Sequence, residues 1–256
     1  MNKLYKPVIV KKVIDDEHFY YVNKRFRPSV THILGATLPT PQALKIWLGD
    51  MGNEKAQEKM ERAGEIGTLI HDACERLILG QEINLLTEFP NRTQKKMLVG
   101  FINWFVDYSP KIIKGTTPEL ILASRRGFAG TCDLPVVLGT TGKSTIVDIK
   151  TTSAGLYDSH KLQLAAYQGA FKEMFGFDVE IGVLHLTAKA KRGYVYYDQS
   201  KMMIKGKTVT IYDFNAVLRL YKVLHGGKIP QPPEMDEYPE KIKLDLIKNH
   251  SNNQDD

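Results

Sequence analysis

The chain is short of cysteine, of long apolar runs and of repetition, and each shortage removes a class of protein. Cys74 and Cys132 are its two cysteines. Two thiols cannot build a disulfide framework or supply the four ligands of an iron–sulfur cluster. No apolar run approaches the ~20 residues that cross a bilayer, so no membrane association is expected. The first stretch meets Lys11, Lys12, Asp15 and Asp16 too soon for a signal-peptide core, and no transit peptide is visible. A cytoplasmic rather than mitochondrial or secreted protein is therefore expected. Internal repeats and low-complexity tracts are lacking as well.

What is present is ordinary in bulk. The 256 residues, 43% hydrophobic and 25% charged, suit one domain, or one core with helical additions. The net charge of +6 permits a polyanionic partner, but a plain basic surface would look the same.

Apolar and polar residues alternate over 7–22 around Asp15-Asp16-Glu17, which predicts a hairpin. A short apolar segment after Pro28 and a break at Leu38-Pro39-Thr40-Pro41 lead to a helix over 42–48. A longer helix over 53–79, kinked near Gly64 or Gly67, would bury Ile66, Leu69, Ile70, Ala73, Leu77 and Ile78. Asn91 and Gln94 have capping-box spacing for a further helix, with Met97, Leu98, Phe101, Trp104 and Phe105 on one face. From Pro118 the period changes: strands are expected over 119–123, 130–138 and 145–150, then a helix over 159–175. A strand over 179–186, another over 193–198 and a helix over 211–225 complete the reading, and the polar residues after Pro230 are expected to be disordered. This order predicts a mixed sheet flanked by helices on both sides.

Between Gly130 and Tyr167 the chain reads Gly-Thr-Cys-Asp133, a short apolar run, Asp148-Ile149-Lys150, and Gln163-Leu-Ala-Ala-Tyr167. Phosphodiesters resist water, and a divalent cation both polarises the phosphate and lowers the pKa of an attacking water. Hard Mg²⁺ or Mn²⁺ takes carboxylate oxygens, and Mn²⁺ also accepts an imidazole. Strand residues two apart share a face, so Asp148 and Lys150 point together while Ile149 turns to the core. The hairpin between the Asp133 and Asp148 strands makes them antiparallel neighbours, so two carboxylates can converge on one cation. Gln163 and Tyr167, at i and i+4, share a helix face from which amide and phenol could meet a phosphate or a base. Alone, Asp-Ile-Lys reads equally as an exposed pair on a sheet edge, and Gln163 with Tyr167 as a polar-to-core boundary. Arg125 and Arg126, and the Lys189, Lys191 and Arg192 loop, are candidates to grip a nucleic-acid backbone or are solvated turns.

Gly139-Thr-Thr-Gly142-Lys143-Ser144 imitates the end of a P-loop, but Val137 occupies the first glycine's place and a strand follows, so no nucleotide cofactor is expected. His71 and Cys74 share a helix face without a second pair at zinc spacing.

With His71 and Glu119 included, the chain resembles the RecB-like exonuclease branch of the PD-(D/E)XK nuclease superfamily. The branch pattern of Gly-x-x-x-His, Glu, Gly-x-x-Asp, Asp-x-Lys and Gln-x-x-x-Tyr is met in order. The matching residues are Gly67 to His71, Glu119, Gly130 to Asp133, Asp148 to Lys150 and Gln163 to Tyr167. Pro28-Ser-Val-Thr-His-Ile-Leu and Leu44-Lys-Ile-Trp47 resemble the entry segment of phage-type and mitochondrial genome maintenance exonucleases.

The resemblance covers roughly residues 28–175. It implies a restriction-endonuclease-like α/β fold, with a helical N-terminal region (1–117) contributing His71, a nuclease core (118–230) and a polar tail (231–256). It implies Asp133, Asp148, His71 and the Ile149 carbonyl as metal ligands, Glu119 as a support or second-metal ligand, and Lys150 as the catalytic lysine. Gln163 and Tyr167 would position the substrate strand. The implied activity is a Mg²⁺- or Mn²⁺-dependent DNA exonuclease acting on single-stranded DNA or single-stranded ends. Its setting would be replication, recombination or repair alongside proteins of those processes, in a bacterium or phage-infected cell. The cysteine cluster of some relatives is missing, so no iron–sulfur cluster is implied. A structure-specific endonuclease and a non-catalytic nucleic-acid-binding module stand as alternatives.

Overall fold

The computed structural model describes residues 3–14, 17–151 and 155–227. The Asp15-Asp16 tip and the tail beyond Pro230 lie outside the described residues. Alternation forms β1 (Ile9–Ile14) and β2 (Glu17–Val22), and β3 (Arg25–Arg27) joins them as a third antiparallel strand. The apolar segment after Pro28 is a helix, α1 (Val30–Thr37), because Ser29 caps it: its Oγ accepts the His32 N–H at 3.0 Å. Next come α2 (Gln42–Met51) and α3 (Asn53–Ile78), separated at Gly52 by a φ of +79° that glycine holds readily. α3 runs unbroken through Gly64 and Gly67, where a kink was expected. Gly67 instead marks a close approach, since a Cβ there would lie 3.3 Å from Thr151 Oγ1.

The Asn91–Gln94 capping box opens α4 (Arg92–Tyr108) as its spacing predicts. Met97, Leu98, Phe101 and Trp104 are buried, whereas Phe105 is 39% exposed. At that end of the helix Trp104 and Tyr108 take the ring contacts with Tyr196 instead. The chain continues through β4 (Lys111–Ile112), β5 (Leu120–Ser124), β6 (Phe128–Cys132), β7 (Leu134–Val137), β8 (Ser144–Lys150) and α5 (Asp158–Phe175). It ends with β9 (Glu180–Leu186), β10 (Tyr194–Tyr197), the small β11 (Met203–Ile204) and β12 (Lys207–Thr208) pair, and α6 (Ile211–Leu224).

The central sheet has the order β10-β9-β8-β7-β4. Only β8 and β9 run parallel, joined by the α5 crossover, so the sheet is mixed and the architecture is α/β as expected. Two-residue periodicity divides its side chains between two cores. Ile146, Ile181 and Val183 pack with Leu164, Tyr167 and Phe171 of α5, and Val147, Ile149, Leu184 and Leu186 pack with Ile70, Leu98 and Trp104 of α3 and α4. The single strand expected over 130–138 is broken at Asp133: β6 pairs with β5 outside the central sheet, and β7 pairs with β8 inside it. The metal-ligand candidates lie at that break.

Candidate metal centre

In β8, Asp148 and Lys150 project toward α5 while Ile149 is buried among the α3 and α4 side chains. Leu134 pairs with Val147, so one step back along the ladder sets Asp133 opposite Asp148, just before β7 begins. Freed from the ladder, the Asp133 carboxylate turns to accept the Ile149 N–H through Oδ2 at 2.6 Å. In an extended strand a residue's N–H and C=O project to the same side, so the Ile149 carbonyl also faces the Asp133 side. From the helical layer, His71 Nδ1 of α3 comes within 3.6 Å of Asp133 Oδ2.

Glu119 completes the group from the residue before β5. Its backbone is left-handed (φ +51°), a conformation uncommon outside glycine, and its N–H donates to the Asp133 carbonyl at 2.8 Å. One ligand atom each from His71, Glu119 and Asp133 lies within 4.8 Å of the others. Burial, with the Asp133 charge second, pushes the Glu119 carboxyl up to about 7. Burial also raises Asp133, against the opposing His71. Carboxylates crowded out of water in this way gain from a cation between them.

Asp148 is buried, and its Oδ1 accepts from Lys150 Nζ at 2.9 Å and from Gln163 Nε2 at 3.2 Å. Its Oδ2 lies 2.7 Å from Lys150 Nζ yet has no partner in hydrogen-bond geometry. The ammonium thus pairs with Oδ2 by charge and leaves its lone-pair direction open. Burial opposes the Lys150 charge, but the Asp148 and Asp133 carboxylates outweigh it and raise the ammonium's pKa. The donor set is thus carboxylate oxygens with one imidazole, plus one unsatisfied buried oxygen, and it fits Mg²⁺ or Mn²⁺.

Gln163 and Tyr167 come to the site, but from beneath it. Both are buried, and Gln163 Nε2 also lies 3.3 Å from the Tyr167 hydroxyl. The Tyr167 ring lies against Gly130, where a Cβ would sit 2.7 Å from Cε1. In this arrangement Gln163 bonds Asp148 and Tyr167 backs Gln163. Arg125 and Arg126 are not brought to the site. They occupy the far turn of the β5–β6 hairpin, roughly 20 Å along the strands from Glu119 and Asp133. Arg126 pairs with Glu173, and Arg125 donates to the Lys3 carbonyl and lies over the Tyr5 ring. Their cationic groups tie the N-terminal segment and α5 to the hairpin, away from the metal-ligand candidates.

No protein-family model matches this sequence, and no curated protein matches it. Among solved structures it is similar to a chain from Eubacterium rectale named "Putative exonuclease", with 12% identity over 73% of this chain and 80% of that one, at a TM-score of 0.36. A likeness at that score carries neither fold nor activity across, so the site stands on its own residues.

Several neighbours of the centre gave no sequence signal. His160, in the first turn of α5, is pushed down to about 4 by burial and by Lys150, so its imidazole is neutral at ordinary pH. The Tyr20 hydroxyl bonds Thr131 Oγ1 at 2.8 Å, and Lys11 opposite it on β1 acts on Glu119. Glu75, which also acts on Glu119, was discoverable: it lies one helical turn after His71. The Gly139–Gly142 segment is a turn leading into β8, and Lys143 pairs with Glu180.

Proposed function

We propose that this protein is a metal-dependent deoxyribonuclease that hydrolyses phosphodiester bonds from single-stranded ends. The observation that carries the reading is the His71, Glu119 and Asp133 group, where β7 begins, with the buried Asp148–Lys150 pair as its electrostatic neighbour. A bound Mg²⁺ or Mn²⁺ supplies Lewis acidity toward the phosphate and a water of lowered pKa. Asp133, Asp148, His71 and the Ile149 carbonyl would hold it, with Glu119 beside them. Lys150, kept protonated by the two aspartates, donates toward the reacting phosphate and offsets the charge that grows on its oxygens. Gln163 holds the Asp148 carboxylate in one rotamer. The ligand from α3 bounds the site on one side and the start of α5 on the other, which favours a strand terminus over the interior of a duplex.

The test is digestion of 5′- and 3′-labelled single- and double-stranded DNA with Mg²⁺, with Mn²⁺ and with EDTA. The reading requires metal-dependent products from linear DNA, an intact circular single strand, and loss of cleavage with retained DNA binding in Asp148→Ala and Lys150→Ala. Cleavage by both variants at the wild-type rate removes the mechanism.

A further inference from the structure

A sheet with one face on a core usually presents polar residues on the other. The β1-β2-β3 sheet does not. Its inner face packs Ile9, Tyr20 and Val22 against Ile121, Ala123 and Ala129. The outer face is apolar as well: Val8 and Val10 are 71% and 48% exposed. On the same face Tyr21 and Phe26 form a cross-strand pair with ring centroids 6.0 Å apart, and Phe19 lies 6.4 Å from Phe26. The Lys12 ammonium sits 5.7 Å over the Tyr21 ring. Val8, Val10, Lys12, Tyr21, Asn23 and Lys24 line a shallow depression of about 670 Å³. Its two charged side chains are both lysines, and neither forms an ion pair among the described residues.

We propose that this face is a landing platform for single-stranded nucleic acid. Bases stack on Tyr21 and Phe26, and phosphates meet Lys12 and Lys24. Aromatic faces accept any base, while unpaired cations beside them follow the backbone, the usual combination for binding a single strand without sequence preference. A second copy of this chain suits the face poorly, because the depression lined by these residues offers no carboxylate to meet the lysines of a two-fold partner. The opposite face of the same sheet adjoins the candidate metal centre. Tyr20, the neighbour of Tyr21 on the opposite face, bonds Thr131, two residues before Asp133. The choice of nucleic acid over other polyanions rests on the nuclease reading above.

The experiment is fluorescence anisotropy with fluorescein-labelled oligo(dT) in EDTA, comparing wild type with Tyr21→Ala, Tyr21→Trp and the double variant Lys12→Ala/Lys24→Ala. Losing one stacked base weakens binding about tenfold, so Tyr21→Ala should do so and Tyr21→Trp should not. Single-strand binding loses a log–log salt slope of about 0.7 per phosphate contact, so the double variant should lose about 1.4. Unchanged affinity and slope in variants with wild-type circular dichroism overturn the platform. So does a wild-type dimer in sedimentation velocity that Tyr21→Ala dissociates, which would make the face a self-interface. The two readings fail separately. Wild-type cleavage with unaltered binding by the variants removes the platform alone. No cleavage with any metal, together with weakened binding by Tyr21→Ala, removes the nuclease and keeps the platform.

Discussion

At the residue scale, the Asp148 carboxylate and the Lys150 ammonium are taken out of water together, and such a pair is tolerated only when its remaining bonds are met. Gln163 meets one of them. Removing a side chain that orients a ligand typically costs 10–100-fold in metal affinity or activity. Gln163→Ala should therefore raise the metal concentration for half-maximal cleavage by about that factor while leaving oligonucleotide affinity within twofold; a change confined to substrate KM would assign Gln163 to the strand instead. Glu119 gives a pH signature. Its folded pKa, about 7, lies above the ordinary 4.5, so between these values the folded protein holds a proton that the unfolded chain has lost. That stabilisation is complete below about pH 4.5 and disappears as pH rises through 7. In EDTA, the Tm of the wild type should fall relative to Glu119→Gln between pH 5 and 8, and Mn²⁺ should remove the difference. Parallel profiles in EDTA would contradict it.

At the element scale, strand order and one glycine place the chemistry. β7 starts one residue after Asp133, which leaves that carboxylate outside regular pairing and lets it take the Ile149 N–H. Gly130 is small because the Tyr167 ring occupies the space over it. Gly130→Ala should cost about 1–3 kcal/mol by overpacking, and it should also lower the specific activity of the folded fraction by displacing Tyr167 from Gln163. Gly193 offers the contrast. It has φ +82° and would collide with the backbone of Lys96 and Gly100, where the loop before β10 meets α4. Gly193→Ala should destabilise at least as much, with the activity of folded protein retained. Urea denaturation with activity assays on soluble protein separates the two.

At the scale of the whole molecule, the site draws on the α3 layer, the β5–β6 hairpin and the central sheet at once, so a cation bound there ties them together. A ligand that binds only the folded chain stabilises it by about 2.7 kcal/mol at a hundred times its Kd. Mn²⁺ should raise the Tm of the wild type and have little effect on Asp133→Asn/Asp148→Asn, as measured by calorimetry. The Arg126–Glu173 pair lies at the other end of the hairpin, where Glu173 also accepts from Ser124 and from the Arg125 N–H. Glu173→Ala removes the acceptor of the Ser124 hydroxyl and the Arg125 N–H and should cost about 1–3 kcal/mol. Cleavage by the folded protein should be unchanged. Among the described residues no helix is long and apolar enough to cross a membrane.

Local chemistry determined what could be read without coordinates. Alternation marked the N-terminal hairpin and the core strands, Asn91 and Gln94 marked the start of α4, and two-residue spacing set Asp148 beside Lys150 with Ile149 turned inward. The hairpin between Asp133 and Asp148 was enough to make those carboxylates neighbours. Interactions across long sequence separations were decided by packing. No periodicity shows that Asp133 would be expelled from its strand, or that the Tyr167 ring would fill the space over Gly130. None shows that Gln163 would be buried under Asp148, or that Arg126 would be held by Glu173 away from the site. Asp133, Asp148 and Lys150 were legible because adjacent strands bring them together. His71 and Glu119 were reached only through the family resemblance, because an α3 side chain and a left-handed residue before β5 meet Asp133 only once the helical layer closes on the sheet.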